Sequence, residues 1–351
     1  MGRLAGGGFV GGLGIAQTAP PKGPSAALTF GRGSAIVLVK IGRNRSDVKG
    51  SDMGSRSPVR RRSAAIALAV AVSGILAATA APVSAAHVTC GSVITTDTTL
   101  DGDIGPCPGD ALIIGADNVT LDLGGYAVTG AGSGAGVRIA QRTGVEVTNG
   151  TIQGFNTGLV LDESDGNHVW DLTVRDNVRQ GITVAGSDNN VIEKNDILDN
   201  GGDAIRLGLS AGNVISKNVA IGNVFGIGVA DFSSGNLVEK NQVTDSVAFG
   251  IAVFSASPNN RLVKNSVSGT LAGDGIIVSA DSSGTLVDKN DANANASDGI
   301  DVANPTTTVA RNTANNNGNL GILAVPGTID GGGNNASGNG NPAQCVGVSC
   351  S

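Results

Sequence analysis

Several absences narrow the reading of this sequence before any motif is considered. Beyond residue 86 no stretch carries the i, i+3, i+4 apolar stripe of an amphipathic helix, so helix-based layers are excluded. No later apolar run is long enough to cross a bilayer. Basic residues are outnumbered, 23 Lys and Arg against 29 Asp and Glu, for a formal net charge of -6. Several of those bases lie in the leader, so the exported part is more acidic still. That balance disfavours nucleic acid and anionic membrane surfaces as partners. Histidine occurs twice and cysteine four times, with no CxxC and no clustered His, so a metal site lacks its usual framework.

What the sequence has instead is a phrase that returns. Asn190-Val191-Ile192-Glu193-Lys194-Asn195 reappears as Asn213-Val214-Ile215-Ser216-Lys217-Asn218 and as Asn236-Leu237-Val238-Glu239-Lys240-Asn241. Its closing Asn falls at Asn195, Asn218, Asn241, Asn265, Asn290 and Asn312, in steps of 23, 23, 24, 25 and 22. A second phrase, a small residue followed by an aliphatic one, keeps the same period from Gly136-Val137 through Gly181-Ile182, Ala204-Ile205 and Gly226-Ile227 to Gly321-Ile322. Two independent features on one period mean a stack of units about 23 residues long.

Each unit holds two short runs of alternating aliphatics separated by Gly, Asn, Ser and Asp, which reads as strand and turn. Leucine is too sparse for a leucine-rich repeat, and the six-residue period of short left-handed coils is missing. An all-β fold remains, a single-stranded parallel β-helix of about ten coils, with strands stacked about 4.8 Å apart. The recurring Asn then forms a structural ladder. Its amide points inward at a tight turn and bonds the Asn above and below, and the Asn itself takes the left-handed backbone angle.

The Gly-Ile-x-Val and Asn-x-Ile-x-Lys-Asn-x-Ile phrases resemble those of right-handed parallel β-helix proteins, the NosD-like group and secreted pectate-lyase-like proteins among them, from about Cys90 to Cys350. The right hand of the coil is what this resemblance implies. For function it implies a range: polysaccharide lyases, glycoside hydrolases, uronate epimerases, phage tailspikes and adhesins. The copper role that the NosD name carries lacks its ligands here. His87 stands at the exported terminus, His168 is alone, and no Met follows Met53.

The first 52 residues lie outside the repeat and read as a misassigned N-terminal extension. From Met53 a signal peptide fits residues 53–86: Arg56, Arg60, Arg61 and Arg62, then an Ala-rich apolar core over 64–81, then Val83-Ser84-Ala85 or Ser84-Ala85-Ala86 as a small-x-small cleavage site. The exported chain is about 265 residues, by subtracting 86 from 351, divided into an N-terminal cap (87–110), the β-helix (111–329) and a C-terminal cap (330–351). Four cysteines allow three connectivities. In a β-helix only Cys90 with Cys107 and Cys345 with Cys350 join neighbours, one staple at each end. Secretion or residence in the cell envelope follows.

Because the inside of each coil is sealed by aliphatics, chemistry must sit on outward positions. In the Gly-Ile-x-Val register the residue before Gly and the x both point out. Phe225 and Phe249 then stack on adjacent coils beside Phe254, with Phe232 on a nearby loop, and exposed aromatics suit the apolar faces of sugar rings. Asp274 and Asp298 follow on neighbouring coils, with Asp301 two residues past Gly299. Carboxylates about 5 Å apart must protonate, bind a cation such as calcium, or splay into solvent. A raised pKa would suit acid/base work on a glycoside or uronate. Asp203 and Arg206 form a further mixed pair on the substrate-binding side. Lys194, Lys217, Lys240, Lys264, Lys289 and Arg311 precede the ladder Asn residues, interrupted by Glu193, Glu239 and Asp288, and read as edge protection. The expectation is therefore a secreted β-helix protein that binds or processes polysaccharide, as a lyase, epimerase or glycoside hydrolase if it is an enzyme. The alternative is a non-catalytic structural or adhesive surface protein.

Overall fold

The computed structural model describes residues 88–351. The expected extension over 1–52, the signal peptide over 53–86 and His87 lie outside the described residues. Among the described residues there is no helix; the chain is a coil of short strands, each parallel to its equivalent one turn on.

One face is a twelve-stranded sheet running from Ser92–Ile94 to Cys345–Val346. Its register stacks Ile182 on Ile205, Ile227, Ile251, Ile276, Ile300 and Ile322 in turn. These side chains and the Val or Leu two residues on are buried, each adding about 1.5–3 kcal/mol by leaving water. From Ile182 to Asn293 each coil has three strands where the sequence showed two runs, for example Ile182–Ala185, Val191–Glu193 and Asp196–Leu198. The ladder Asn lies at the corner between the second and third strand. In two earlier coils, without that Asn, Glu146–Gln153 and His168–Arg175 run round the same corner as single strands.

All three corners are built alike: a residue in the left-handed region, then an inward polar residue bonded to its equivalent in the next coil. Asn195 donates its amide to Asn218, and the chain of amides continues through Asn241, Asn265, Asn290 and Asn312 to Asn334, each at 3.0–3.1 Å. Two further ladders were not read from the sequence. One runs from Asn167 through Asn190, Asn213 and Asn236 to Asn260. The other links Asn177, Asn200 and Asn223, is broken at Ser246 and Thr270, and resumes through Asn295, Asn317 and Asn339. The expected left-handed angle does not belong to the ladder Asn. It belongs to the residue before it, with φ between 55° and 58° at Lys194, Lys217, Lys240, Lys264, Lys289 and Arg311. The bend made there leaves the Asn free to aim its amide along the axis while the long basic side chain reaches solvent. Glu193 meets Lys194 and Lys217, Glu239 meets Lys240, and Asp288 meets Arg311.

Both ends are stapled, Cys90 to Cys107 and Cys345 to Cys350. The stretches read as caps also supply rungs. Ser92–Ile94 pairs with Leu112–Ile114, and Cys345–Val346 pairs with Ile322–Ala324. Their sequence lacks the repeat phrase because an end coil has a neighbour on one side only. Gln344 closes the third ladder by accepting the amide of Asn339 at 2.8 Å.

Candidate functional site

The outward residues of the twelve-stranded sheet form rows along the axis. Thr183, Arg206, Gly228, Ala252, Ile277 and Asp301 are in register on successive strands. The two smallest are adjacent, so the row dips over two coils. A Cβ on Gly228 would come within 2.7 Å of Asp203 Oδ1, so a larger residue there would displace that carboxylate. Phe225 and Phe249 stand on one side of the dip with ring centroids 6.2 Å apart and planes at 25°. Phe254 stands on the other side.

The result is a cleft of about 320 Å³ lined by Asp203, Arg206, Phe225, Phe249 and Phe254, the five residues assigned to substrate binding, with Gly228, Ala252, Ile277 and Ser279 as floor and far end. Arg206 is not simply the partner of Asp203. Its Nη2 meets Asp231 Oδ2 at 2.8 Å, while Nη1 lies 3.9 Å from Asp203 Oδ2. Its guanidinium carbon is 5.6 Å from the centre of the Phe254 ring, within cation–π range. Burial raises the Asp203 carboxyl above its ordinary range, against the pull of Arg206. Beyond Arg206 lies a second cleft of about 400 Å³, lined by Thr183, Leu209, Asp231 and Phe232 among others. Leu209 and Phe232 are about two-thirds exposed. Asp231 and Leu209 escaped the sequence reading because they lie past the Gly-Ile-x-Val phrase, where loop and strand cannot be told apart.

The acidic trio lies further along the axis and does not line the cleft; Asp301 is the next residue in the row after Ile277. Repulsion between Asp274 and Asp298 is relieved in a way the sequence did not show. Asp274 Oδ1 accepts the backbone N–H of Asp298 at 2.9 Å. Asp298 Oδ1 in turn accepts the Asn319 amide and the Leu320 backbone N–H, both at 2.7 Å. Burial, opposed by the Leu320 N–H and reinforced by Asp274, leaves the Asp298 carboxyl raised. Asp301 has no such donors among the described residues. Burial first, then the charges of Asp274 and Asp298, push its carboxyl up to about 6. The arrangement is an apolar, aromatic-walled cleft with Asp203 in its lining and the acidic trio beyond its far end.

The comparisons with known proteins bear on this coil. A family profile described as "Periplasmic copper-binding protein (NosD)" matches residues 114–292, a little over half of the chain. No curated protein matches. Among solved structures, the Dettilon tailspike protein is similar at 17% identity and a TM-score of 0.59, over 72% of this chain; the chain spans 60% of the tailspike's length. The A-module of the mannuronan C-5 epimerase AlgE6 of Azotobacter vinelandii is similar at 15% identity and a TM-score of 0.50, over 73% of each chain. At these identities the likeness is one of fold.

The family's description raises the question of copper, and the donor set of this chain does not fit it. His168 is the one described imidazole. It stacks on Trp170 at 5.7 Å and faces Glu193 at 3.6 Å. All four cysteines are locked in disulfides, so neither thiolate nor clustered imidazole is available as a soft or borderline ligand. Disulfides and a periplasmic family are the marks of an extracytoplasmic protein. On the profile match and the stacked parallel coil, the chain belongs to the NosD family of right-handed parallel β-helix proteins.

Proposed function

We propose that this protein is exported and binds a polysaccharide along the outer face of its twelve-stranded sheet, and that the acids at the end of the cleft process it. The carrying observation is the stacked Phe225 and Phe249 pair facing Phe254 across a floor lowered by Gly228 and Ala252. Rigid aromatic walls offer sugar rings a flat apolar contact. The row from Thr183 to Asp301 crosses five strand steps of about 4.8 Å, roughly 24 Å in all. That length suits an extended polymer better than a small molecule. In turnover, Asp301, its carboxyl pushed up to about 6, would donate a proton to a leaving oxygen, with Asp274 or Asp298 as the second carboxyl group.

The test is affinity electrophoresis of the full chain against neutral and uronate-containing polysaccharides, with and without calcium, alongside an assay for new chain ends. Phe225→Ala and Phe249→Ala should each abolish retardation, and Asp301→Asn should keep retardation and lose turnover. Retardation that survives the loss of both rings would remove the cleft as the site. One observation favours the second reading, a non-catalytic structural or adhesive surface protein. Asp274 and Asp298 spend oxygens on the backbone of the next coil, as structural residues do. On that reading no polymer is cleaved, and Asp301→Asn changes only stability.

A further inference from the structure

We infer that the saccharide taken by this cleft is uncharged: a neutral polymer bearing methyl-ester, deoxy or acetyl groups, and not a polyuronate. The inference rests on the saccharide-binding reading above and names its substrate class.

Among the described residues lining the two clefts, Arg206 is the one base. A uronate carboxylate would need it, and it is already committed. Asp231 holds Nη2 at 2.8 Å, Asp203 stands by Nη1, and the face of the guanidinium lies against Phe254. Capturing an anion would mean displacing Asp231 and leaving that carboxylate beside the new one. In the aromatic cleft hydroxyl help is also missing. Ser279, at the far end of the cleft, already gives its hydroxyl proton to Asp281 Oδ1. The floor row of Gly228, Ala252 and Ile277 has no polar side-chain atom. A carboxylate seated there would be desolvated without a partner, which costs more than a neutral ring could. Asp203 and Asp231 at one end and Asp274, Asp298 and Asp301 at the other add like-charge repulsion along the whole path. An ester or acetyl methyl, by contrast, finds aliphatic floor and aromatic wall.

Polygalacturonate and its fully methyl-esterified form test this directly, because they share one backbone and differ in charge. With acetylated xylan as a second neutral polymer, affinity electrophoresis of the full chain should show the neutral forms retained at least about tenfold more strongly than polygalacturonate, and little changed by added salt. Asp231→Asn, which releases Arg206, should raise retention by polygalacturonate several-fold, with an unchanged melting temperature as the folding control. Polygalacturonate held as tightly as its ester overturns the inference and leaves the saccharide reading standing. No gain in polygalacturonate retention from Asp231→Asn overturns the role given to Arg206. Retention by none of the three polymers overturns the inference and the saccharide reading together.

Discussion

Asp274 Oδ1 accepts the backbone N–H of Asp298, one coil further along the axis, at 2.9 Å. Asp298 repeats the bond toward Leu320 at 2.7 Å. On these two coils the position before the Gly is therefore tied to the next coil by a carboxylate, and Asp301, which has no donor among the described residues, bears the repulsion that remains.

Asp301→Asn should stabilise the protein at pH 8 and change little near pH 4. The sign follows from linkage. A carboxyl raised to about 6 in the fold, against about 3.9 unfolded, holds its proton longer in the native state, so its contribution is intact below pH 4 and is lost as pH rises through 6. Two pKa units amount to about 3 kcal/mol in full; for a half-buried group partly screened by solvent, a gain of about 1–2 kcal/mol is expected. Guanidinium denaturation of both proteins at the two pH values checks it, and equal stabilities at pH 8 would show that Asp301 carries no strain.

Asn241→Ala should be among the costliest single changes outside the aliphatic core. The side chain donates to Asn265 Oδ1 and Ile215 O and accepts both the amide and the backbone N–H of Asn218, all at 2.9–3.0 Å. Its removal leaves buried groups without partners, at about 3 kcal/mol or more. A loss under about 1 kcal/mol in chemical denaturation would mean that water fills the rung.

Lys264→Gly should raise the melting temperature slightly. Lys264 sits at φ 58° and, among the described residues, in no ion pair. A left-handed angle costs an L-residue about 1–2 kcal/mol, and the added freedom of unfolded Gly returns part of it, leaving a net gain of about 0.5 kcal/mol. Lys264→Val, branched at Cβ, should lose at least about 1 kcal/mol at the same angle.

Gly275→Ala and Gly235→Ala separate crowding from dihedral strain. A Cβ on Gly275 would stand 2.5 Å from Asn295 Nδ2 and 2.6 Å from Gly299 O, whereas Gly235, at φ 64°, has nothing within 4 Å. The first should cost more than about 2 kcal/mol through overpacking, the second about 1 kcal/mol through backbone strain alone. Similar losses by thermal melts would contradict the tight seating of the inner Gly row.

Much of this molecule was legible in residue spacing. The Gly-Ile-x-Val phrase placed Ile276 inside and Ile277 outside, and it put Phe225 beside Phe249. The ladder at Asn195 was legible because Lys-Asn recurs there five times, followed by Arg311-Asn312. Its companions at Asn167 and Asn177 were not, because the residue before them varies among Gly, Asp, Asn and Ala, and the third ladder is interrupted by Ser246 and Thr270. The depth of the cleft also escaped notice, although Gly228 and Ala252 were in the row; a dip is visible only against the heights of Phe225, Phe254 and Ile277 around it.

By itself, then, the sequence determined the coil. A 23-residue period of inward aliphatics and small corner residues has one economical solution, because each repeat can bury its apolar face only against a copy of itself. Only the tertiary structure decided how the charges share the surface. Arg206 turns to Asp231 across a coil boundary, Asp298 is met by the N–H of Leu320, and the Asp301 carboxyl, with no donor among the described residues, is pushed up to about 6. The first two depend on distances of a few ångströms between residues 25 and 22 positions apart, and the third on burial and on Asp274, 27 positions away; periodicity brings such residues near but does not orient them.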